Sequence, residues 1–457
     1  MAALDTALSA LMTGFSGRIV GPDDADYDKA RTVTYGGFDK HPGAIVKVKS
    51  AVDVQAVVNA AREGGVEFVV RSGGHSNAGH STTDGGLVLD LRDMHAISVD
   101  VNAGTLWAET GAMAIDVTKA AEKHGMVVGF GDAGTVGIGG ITLGGGVGYM
   151  ARKYGLTIDA LLAAEIVTAD GRLLMVDATH EPDLFWALRG GGGNFGVVTR
   201  LQYNLNPLPE FTGGMLILSA TAETVSGFIA AAHAAPEALS TICNVMPCPP
   251  MPFVPEEVHG KMVIFGMLAF AGSPGDAEKT LAPFRALAKP HADMIKSGSY
   301  AELMYPPEDD DYHPTASSHT MFIDRVGPAE AKMILDELAA SDAVFKVVQL
   351  RVLGGAVSLV PSDATAYAHR SAPILTNIAA FYTTPEDRLK QEAWVGEFGK
   401  RLEQDEKGAY VNFLALDGAE RLAAAYPPKT LARLREVKAK YDPKNLFRMN
   451  QNIAPAA

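Results

Sequence analysis

The sequence is poor in cysteine and in basic residues. Cys243 and Cys248 are the only cysteines among 457 residues, too few for a disulfide framework and without the partners of a zinc site. We therefore expect no metal. Acidic residues outnumber basic ones by 53 to 39, and the net charge is −14. We expect no nucleic-acid partner, because phosphate backbones attract basic surfaces.

Long apolar runs are also missing. No stretch reaches the roughly 20 uninterrupted apolar residues that span a bilayer, and the N-terminal MAALDTALSALMTGFSG has no basic start followed by an apolar block. These absences predict a cytoplasmic protein with no membrane partner. With 47% apolar residues, the chain can bury one large core or two ordinary ones, so we expect two domains or one elaborated domain.

Glycine, in contrast, is abundant and clustered. RSGGHSNAGHS, residues 71–81, follows a predicted strand over 66–70, and two more glycine-rich turns lie at 134–148 and 190–196. Adjacent glycines let several backbone N–H groups point toward one place, the arrangement that cradles a phosphate. Three such turns in one half of the chain indicate backbone that approaches a long ligand, such as a dinucleotide, along its length.

A Rossmann fingerprint is the first alternative for a dinucleotide site. GIGGITLGGG, residues 137–146, does not keep the G-x-G-x-x-G register after a clean strand near the N-terminus. An acidic residue about 20 positions later at a strand end is also lacking. We therefore discount that alternative.

The order of predicted elements favours an α+β protein. A helix capped by Ser50 ends at Gly64 and Gly65, and short strands, a hairpin over 165–176 and helices at 114–124 and 181–189 follow. Beyond Pro209 the sequence changes to long β-rich runs, at 213–219, 262–270, 318–324, 345–353 and 375–382, with a helix over 328–340. This half predicts a domain built on a large, mainly antiparallel sheet.

Four segments carry a family resemblance in one order along the chain. They are RSGGH at 71–75, TVGIGGITLGGGVGYMARKYGL at 135–156, DLFWALRGGGGNFGVVT at 183–199, and a tail from YVNF at 410 to KAKYDPKNLFRMNQNI ending at 453. Together they resemble the berberine bridge enzyme group of the vanillyl-alcohol oxidase superfamily. The resemblance implies a two-domain PCMH-type FAD-binding fold. Residues 1–206 and the returning segment 410–457 would form the FAD domain, and 207–409 would form the substrate domain.

The resemblance also implies covalent FAD. The histidine of R-S-G-G-H, here His75, attaches to the 8α-methyl group of the flavin, and the turn before it binds the pyrophosphate. Many relatives add a second bond from a cysteine in a C-P-T-V-G turn, where this chain has Ala133, so a single linkage is expected. The implied cofactor-binding residues are Arg71, Ser72, Gly73, Gly74, His75, Ser76, Gly79, His80, Ala133, Gly134, Thr135, Val136, Gly139, Gly140, Gly145, Gly148, Gly196, Val197, Val198, Tyr410, Asn412, Asn450 and Asn452.

Tyr410 and Asn412 are the first catalytic candidates. They match a Tyr-x-Asn element that relatives place on a strand over the flavin, where period two would point both side chains the same way. The tyrosine would then be the base, or alternatively an ordinary buried residue.

Gln349 and Arg351 are the other catalytic candidates. They share one face of the predicted strand over 345–353, which offers no carboxylate. Arg351 would either favour the Tyr410 phenolate or pair with a surface acid.

These features predict an FAD-dependent oxidase of a small amine, alcohol, sugar or natural-product intermediate, with O2 as acceptor and H2O2 as product. Val136 matches the family position near the reactive edge of the flavin, where a small side chain accompanies oxidases and leucine accompanies dehydrogenases. A dehydrogenase of the same fold and a flavin-binding protein without turnover stay open as alternatives, as does a homodimer.

Overall fold

The computed structural model describes residues 2–11, 15–304, 313–405, 407–415 and 418–456. The helices are α1 Ala2–Leu11, α2 Tyr27–Arg31, α3 Ala51–Gly64, α4 Ala114–Glu122, α5 Ile138–Gly144, α6 Ala151–Tyr154, α7 Pro182–Leu188, α8 Ala222–Ala234, α9 Pro274–Arg285, α10 Pro328–Ala340, α11 Ala356–Leu359, α12 Pro385–Leu402, α13 Gly418–Ala425 and α14 Pro428–Tyr441. Among the described helices, none combines the length and the apolar character needed to cross a membrane.

The strands form four sheets. Their bounds are β1 Arg18–Val20, β2 Ala44–Lys47, β3 Phe68–Arg71, β4 Leu87–Asp90, β5 Ile97–Asp100, β6 Thr105–Glu109, β7 Met126–Val127, β8 Leu161–Val167, β9 Leu173–Asp177, β10 Val197–Asn204, β11 Asn206–Pro207, β12 Thr212–Ser219, β13 Leu239–Pro247, β14 Met262–Phe270, β15 Ala292–Asp293, β16 Lys296–Ser297, β17 Ala316–Ile323, β18 Phe345–Val352 and β19 Ile374–Phe381.

A small mixed sheet, in the order β1-β2-β4-β3, holds the first glycine turn. Its strands β2, β4 and β3 run parallel, and β3 delivers the chain to Ser72. Helix α3 packs on it through Val54, Val57 and Val58, which are fully buried. The helix begins and ends as predicted: the Ser50 side chain accepts from the Asp53 amide, and Gly65 closes the helix in the left-handed region at φ 62°.

The second sheet has five antiparallel strands in the order β5-β6-β10-β8-β9. It contains the predicted 165–176 hairpin as β8 and β9, and β11 pairs with β7 beside it. The glycine-rich region after Ala133 was expected to be a turn throughout, but its centre is helix α5. Ile138 and Leu143 are buried there, so apolar packing stabilises the helix despite the low helix propensity of glycine.

The large sheet is antiparallel, with eight strands in the order β15-β12-β14-β13-β18-β19-β17 and β16 beside β12. This confirms the predicted fold class. Helices α8, α9, α10 and α12 cover one face, where Val348, Leu350 and Val352 pack in a shared core. Bounds for β13 and for helices α8, α9 and α12 were not predicted from the sequence.

The C-terminal tail returns to the third glycine turn and is fixed there by buried polar contacts. Lys438, fully buried, donates to Asp442 Oδ2 at 2.7 Å, to the carbonyl of Asn194 at 2.7 Å and to that of Phe447 at 2.9 Å. Asn194 Oδ1 in turn accepts from the Ile453 amide at 2.9 Å. Each ammonium hydrogen therefore has an acceptor, the condition under which a buried charge is tolerated.

Candidate active site

A cavity of about 500 Å³ lies between the small sheets, the large sheet and the C-terminal tail. Its volume lies in the ~300–1,000 Å³ range of small-molecule and cofactor sites. All three glycine-rich turns contribute to its wall, together with side chains of β18 and β19 and two segments of the tail. The three glycine-rich turns, which are far apart in the sequence, therefore lie around one cavity, as the sequence suggested.

The first turn presents a row of free backbone donors to this cavity. The amides of Gly73, Gly74, His75, Ser76 and Asn77 have no hydrogen-bond acceptor among the described residues, and all five residues line the cavity. Gly74 has φ 78°, in the left-handed region that favours glycine. Consecutive free amides of this kind form an anion-binding concavity.

The first and second turns touch through glycine backbone. A Cβ added at Gly73 would lie 2.2 Å from the Gly137 nitrogen, and one added at Gly137 would lie 2.2 Å from the Gly73 nitrogen. Ser72 Oγ bridges the same junction by donating to the Thr110 carbonyl at 2.5 Å and accepting from the Gly139 amide at 3.3 Å. The two turns therefore lie so close together that neither Gly73 nor Gly137 can be replaced by a residue with a side chain unless the backbone moves.

His75 and His80 both stand in the cavity wall. Burial lowers the pKa of His75 to about 4, although the Thr135 backbone and the charge of Asp132 act in the other direction. Burial likewise lowers the pKa of His80 to about 4, and its Nε2 has no partner among the described residues. Both imidazoles are thus neutral near pH 7 and present basic nitrogens rather than charges.

Tyr410 and Asn412 lie side by side, but not on a strand. Val411–Phe413 is a 3₁₀ turn, closed by a 2.9 Å bond from the Phe413 amide to the Tyr410 carbonyl. The side chains still converge, because Asn412 Nδ2 donates to the Tyr410 hydroxyl at 2.9 Å and to the Ile141 carbonyl at 3.1 Å. The predicted pairing is confirmed, and the predicted strand is wrong.

Three N–H groups point at the phenol oxygen of Tyr410. Besides Asn412, the amides of Gly146 and Val147 donate to it at 2.9 and 3.3 Å, and no described residue accepts the phenol's own hydrogen. Burial raises the pKa of Tyr410, while these donors and the charge of Arg351 act to lower it. Donors aimed at an oxygen favour its anionic form, so this site is built to hold charge there once the proton leaves.

Gln349 and Arg351 face the cavity from β18, as predicted. Arg351 Nε donates to Gln349 Oε1 at 2.8 Å, and its guanidinium lies 5.4 Å from the Phe413 ring centroid. Arg351 Nη2 forms an ion pair with Asp132 Oδ2 at 2.8 Å. The acid that pairs with Arg351 is therefore a residue of the cavity wall and not a surface residue.

Most of the predicted site residues line the cavity. They are Ser72, Gly73, Gly74, His75, Ser76, His80, Ala133, Val136, Gly139, Gly140, Gly196, Val198, Gln349, Arg351, Tyr410, Asn412 and Asn450. Eight others do not line it, namely Arg71, Gly79, Gly134, Thr135, Gly145, Gly148, Val197 and Asn452.

Packing explains why several of these eight stand behind the wall. The Arg71 side chain turns away and donates to the carbonyls of Ser81 and Arg31 at 2.9 and 3.2 Å. A Cβ at Gly148 would lie 1.4 Å from the Phe130 oxygen, and one at Gly79 would lie 2.5 Å from the Phe38 ring. These glycines permit close packing rather than ligand contact.

The others also have structural roles. Gly145 lies behind the Tyr410 ring, which an added Cβ would approach to 3.2 Å, and Val197 belongs to the core beneath α3. Gly134 accepts from the Ile115 amide at 3.0 Å. The backbone of Thr135 forms a hydrogen bond with His75, and Asn452 follows the last lining residue of the tail, Gln451.

Sequence reasoning missed nine polar residues of the wall, namely Tyr35, Asn77, Ser81, Thr110, Asp132, Asn194, Asn377, Tyr426 and Gln451. Asp132 could have been identified from the sequence as a candidate site residue, since it directly precedes the turn at Ala133. Asn377 lies opposite Gln349 in the β18–β19 register, a relation visible only once the strands are paired. Tyr35 lies in a loop before β2 and has no distinguishing pattern.

The wall fits FAD. Five free amides suit a pyrophosphate, and the unpartnered Ser81 Oγ, His80 Nε2 and Asn450 Oδ1 offer further polar contacts along the cavity. Residues 42–177 match the family model described as FAD binding domain. Residues 409–454 match the model described as berberine and berberine like.

Known proteins share both sequence and fold with this chain. (R)-6-hydroxynicotine oxidase of Paenarthrobacter nicotinovorans is 30% identical, over 96% of this chain and 97% of that protein. The crystal structure of 6-hydroxy-D-nicotine oxidase from Arthrobacter nicotinovorans superposes with a TM-score of 0.86 at 29% identity, covering 97% of this chain and 99% of that one. Glucooligosaccharide oxidase from Acremonium strictum, at 24% identity and full coverage of both chains, has a TM-score of 0.86.

Fold and site together define an FAD-dependent oxidoreductase. The chain belongs to the berberine bridge enzyme-like family of FAD-linked oxidoreductases.

The contact between the first two turns predicts the effect of one methyl group. Gly73→Ala places a Cβ against the Gly137 backbone, so we expect the purified variant to contain several-fold less FAD per protein than the wild type, measured by the ratio of flavin to protein absorbance. Gly275→Ala is the matched control, because a Cβ there meets nothing within 4 Å. Full flavin content in Gly73→Ala would show that the junction does not shape the FAD site.

Proposed function

We propose that this protein is an FAD-dependent oxidase that oxidises a small organic substrate and reduces O2 to H2O2. The observation that carries the proposal is the Tyr410 oxygen, which receives three N–H donors at the wall of the same cavity that contains the free amides of 73–77. A flavin site and a proton acceptor thus share one cavity. The similarity to oxidases of nicotine derivatives supports the choice of oxidase.

We propose that FAD is attached through His75 alone. The neutral imidazole stands in the cavity wall directly within the row of free amides. Glucooligosaccharide oxidase carries 6-S-cysteinyl, 8α-N1-histidyl FAD, whereas the turn of this chain has Ala133 and no thiol. The amides of 73–77 hold the pyrophosphate.

In the proposed reaction, FAD held by the amides of 73–77 would supply the two-electron acceptor for a C–H bond of the substrate and the electron donor to O2. Tyr410 takes the proton from the adjacent O–H or N–H group of the substrate. The amides of Gly146 and Val147 and the Asn412 amide group stabilise the phenolate form of Tyr410, which is the form that accepts this proton and becomes the neutral phenol. Arg351 adds a positive charge that further favours the phenolate.

The domain boundaries are also a proposal. Because β11, Asn206–Pro207, pairs with β7 of the first half, we propose that the substrate domain begins after Pro207 and before β12 at Thr212. We keep its end at residue 409, where the tail with Tyr410 rejoins the cavity. The substrate then binds between the two domains.

The attachment proposal is tested by acid precipitation. We expect the wild-type pellet to keep its flavin and the His75→Ala pellet to release it, because only a covalent bond survives denaturation. His80→Gln is the matched control, since it changes the other cavity histidine and should keep the linkage. Flavin in the supernatant of the wild type would contradict the proposal.

The proton-acceptor proposal is tested by removing one oxygen. Tyr410→Phe should slow anaerobic flavin reduction by about 10²-fold or more, the scale for losing a positioned base. Tyr367→Phe is the control, because its ring lies 6.1 Å from the Tyr410 ring without lining the cavity. A wild-type reduction rate in Tyr410→Phe would assign the proton transfer to another residue.

The oxidase proposal is tested at Val136, which is half-buried in the cavity wall. Flavin of the wild type is reduced without oxygen and mixed with aerated buffer, and reoxidation and peroxide are measured. We expect fast reoxidation with stoichiometric peroxide, and markedly slower reoxidation in Val136→Leu with little change in flavin reduction, since the added bulk restricts access of O2. A wild type that reacts slowly with oxygen would support a dehydrogenase instead.

A further inference from the structure

Asp132 contributes a carboxylate to the cavity that the proposed reaction does not use. Its side chain is 26% exposed, and its Oδ2 is bound by Arg351 Nη2 at 2.8 Å. Oδ1 has no hydrogen-bond partner among the described residues. The cavity therefore contains one carboxylate oxygen that is held in place by its neighbour and open to a ligand.

Arg351, in contrast, is buried, with 6% of its side chain exposed, and each of its three nitrogens donates one hydrogen bond. Besides Asp132, it donates to Gln349 Oε1 at 2.8 Å and to the Val147 carbonyl at 3.4 Å. Because Gln349 Oε1 accepts from Arg351, Gln349 Nε2 donates, and it does so to Asn244 Oδ1 at 3.0 Å. Asn244 Nδ2 then donates to the Phe265 carbonyl at 3.0 Å.

This chain of hydrogen bonds fixes the guanidinium from the side of the sheet. An anionic substrate that approached Arg351 would compete with Asp132, which already pairs with it at 2.8 Å. A donor on the substrate, however, reaches Asp132 Oδ1 without breaking a contact.

The other described residues that line the cavity add no further charge beside Asp132 and Arg351. Among the described lining residues, Asp132 is the only carboxylate and Arg351 the only guanidinium or ammonium group. His75 and His80 are neutral, with pKa values lowered to about 4 by burial. Burial raises the pKa of the Tyr35 phenol, and the charge of Asp132 acts in the same direction. The wall thus carries one internally neutral ion pair.

We infer that Asp132 is a specificity-determining residue, which accepts a hydrogen bond from an O–H or N–H group of the substrate and disfavours carboxylate substrates. The inference deepens the proposed function, since it assigns a substrate class to the same cavity. A hydrogen bond to a charged acceptor is among the stronger ones, and an anion placed near Asp132 would be repelled.

Three probes that share one ring test this inference: benzyl alcohol, benzylammonium and benzoate. Each is titrated against the flavin-containing protein at pH 7 without oxygen, and the dissociation constant is taken from the shift of the flavin spectrum. Bleaching is recorded separately, because it reports turnover and therefore the proposed function. Selective binding of the probes without bleaching would support the assignment of Asp132 and would show that these probes are not substrates, whereas the oxidase itself is tested by reoxidation of the reduced flavin.

In the wild type we expect benzyl alcohol and benzylammonium to bind at least about tenfold more tightly than benzoate. Asp132→Asn should reverse this order, because Arg351 then lacks its anion and is available to benzoate. Asp132→Glu, which keeps the charge, should restore the preference for donors. Asp116→Asn is the matched control, since it removes one charge from an exposed position on α4 and should bind all three probes as the wild type does.

A second variant keeps the test decisive if Asp132→Asn does not fold. Arg351→Gln leaves Asp132 charged and unpaired, so benzylammonium should gain about tenfold relative to benzyl alcohol. The inference is overturned if the wild type binds benzoate as tightly as the two donors, or binds none of the three. It is overturned equally if the order of affinities is the same in Asp132→Asn as in the wild type, or if Arg351→Gln leaves the ratio of benzylammonium to benzyl alcohol unchanged.

Discussion

The contact of two backbones at Gly73 and Gly137 is the constraint on which the rest of the cavity depends. On one side it sets the position of the free amides and His75, and on the other it sets the turn that carries Asp132 and Val136. Ser72 completes the junction by bonding to both Thr110 and α5. Because the two nitrogens leave no space for a Cβ, these two turns can approach each other this closely only with glycine at both positions.

Glycine also permits a second close contact between segments that are distant in the sequence. A Cβ at Gly144, the last residue of α5, would lie 2.0 Å from Asn412 Oδ1. The absence of that atom lets the C-terminal tail place Asn412 and Tyr410 against the backbone that follows α5. Lys438 and Asn194 hold the tail to the third glycine turn, so all three glycine-rich regions act in positioning one phenol.

The sequence predicted the parts of this arrangement that follow from local pattern. Period two placed Gln349 and Arg351 on one face of β18, and the glycine clusters marked the turns of the cavity wall. It did not predict the helix within the second cluster, because apolar packing of Ile138 overrides the low propensity of glycine. The sequence also did not predict the pairing of Asp132 with Arg351, since the two residues are 219 positions apart and only tertiary structure joins them.

Alternate residues of β18 face two different environments and are therefore under different structural constraints. Val348 and Leu350 belong to the core under the helices, while Gln349 and Arg351 face the cavity. A lineage can therefore exchange the cavity-facing residues, and with them the molecules it accepts, without disturbing the packing that keeps the domain folded. Such a sheet is a scaffold that can present a different set of side chains to the cavity by substitution at every second position, while its packed face stays the same.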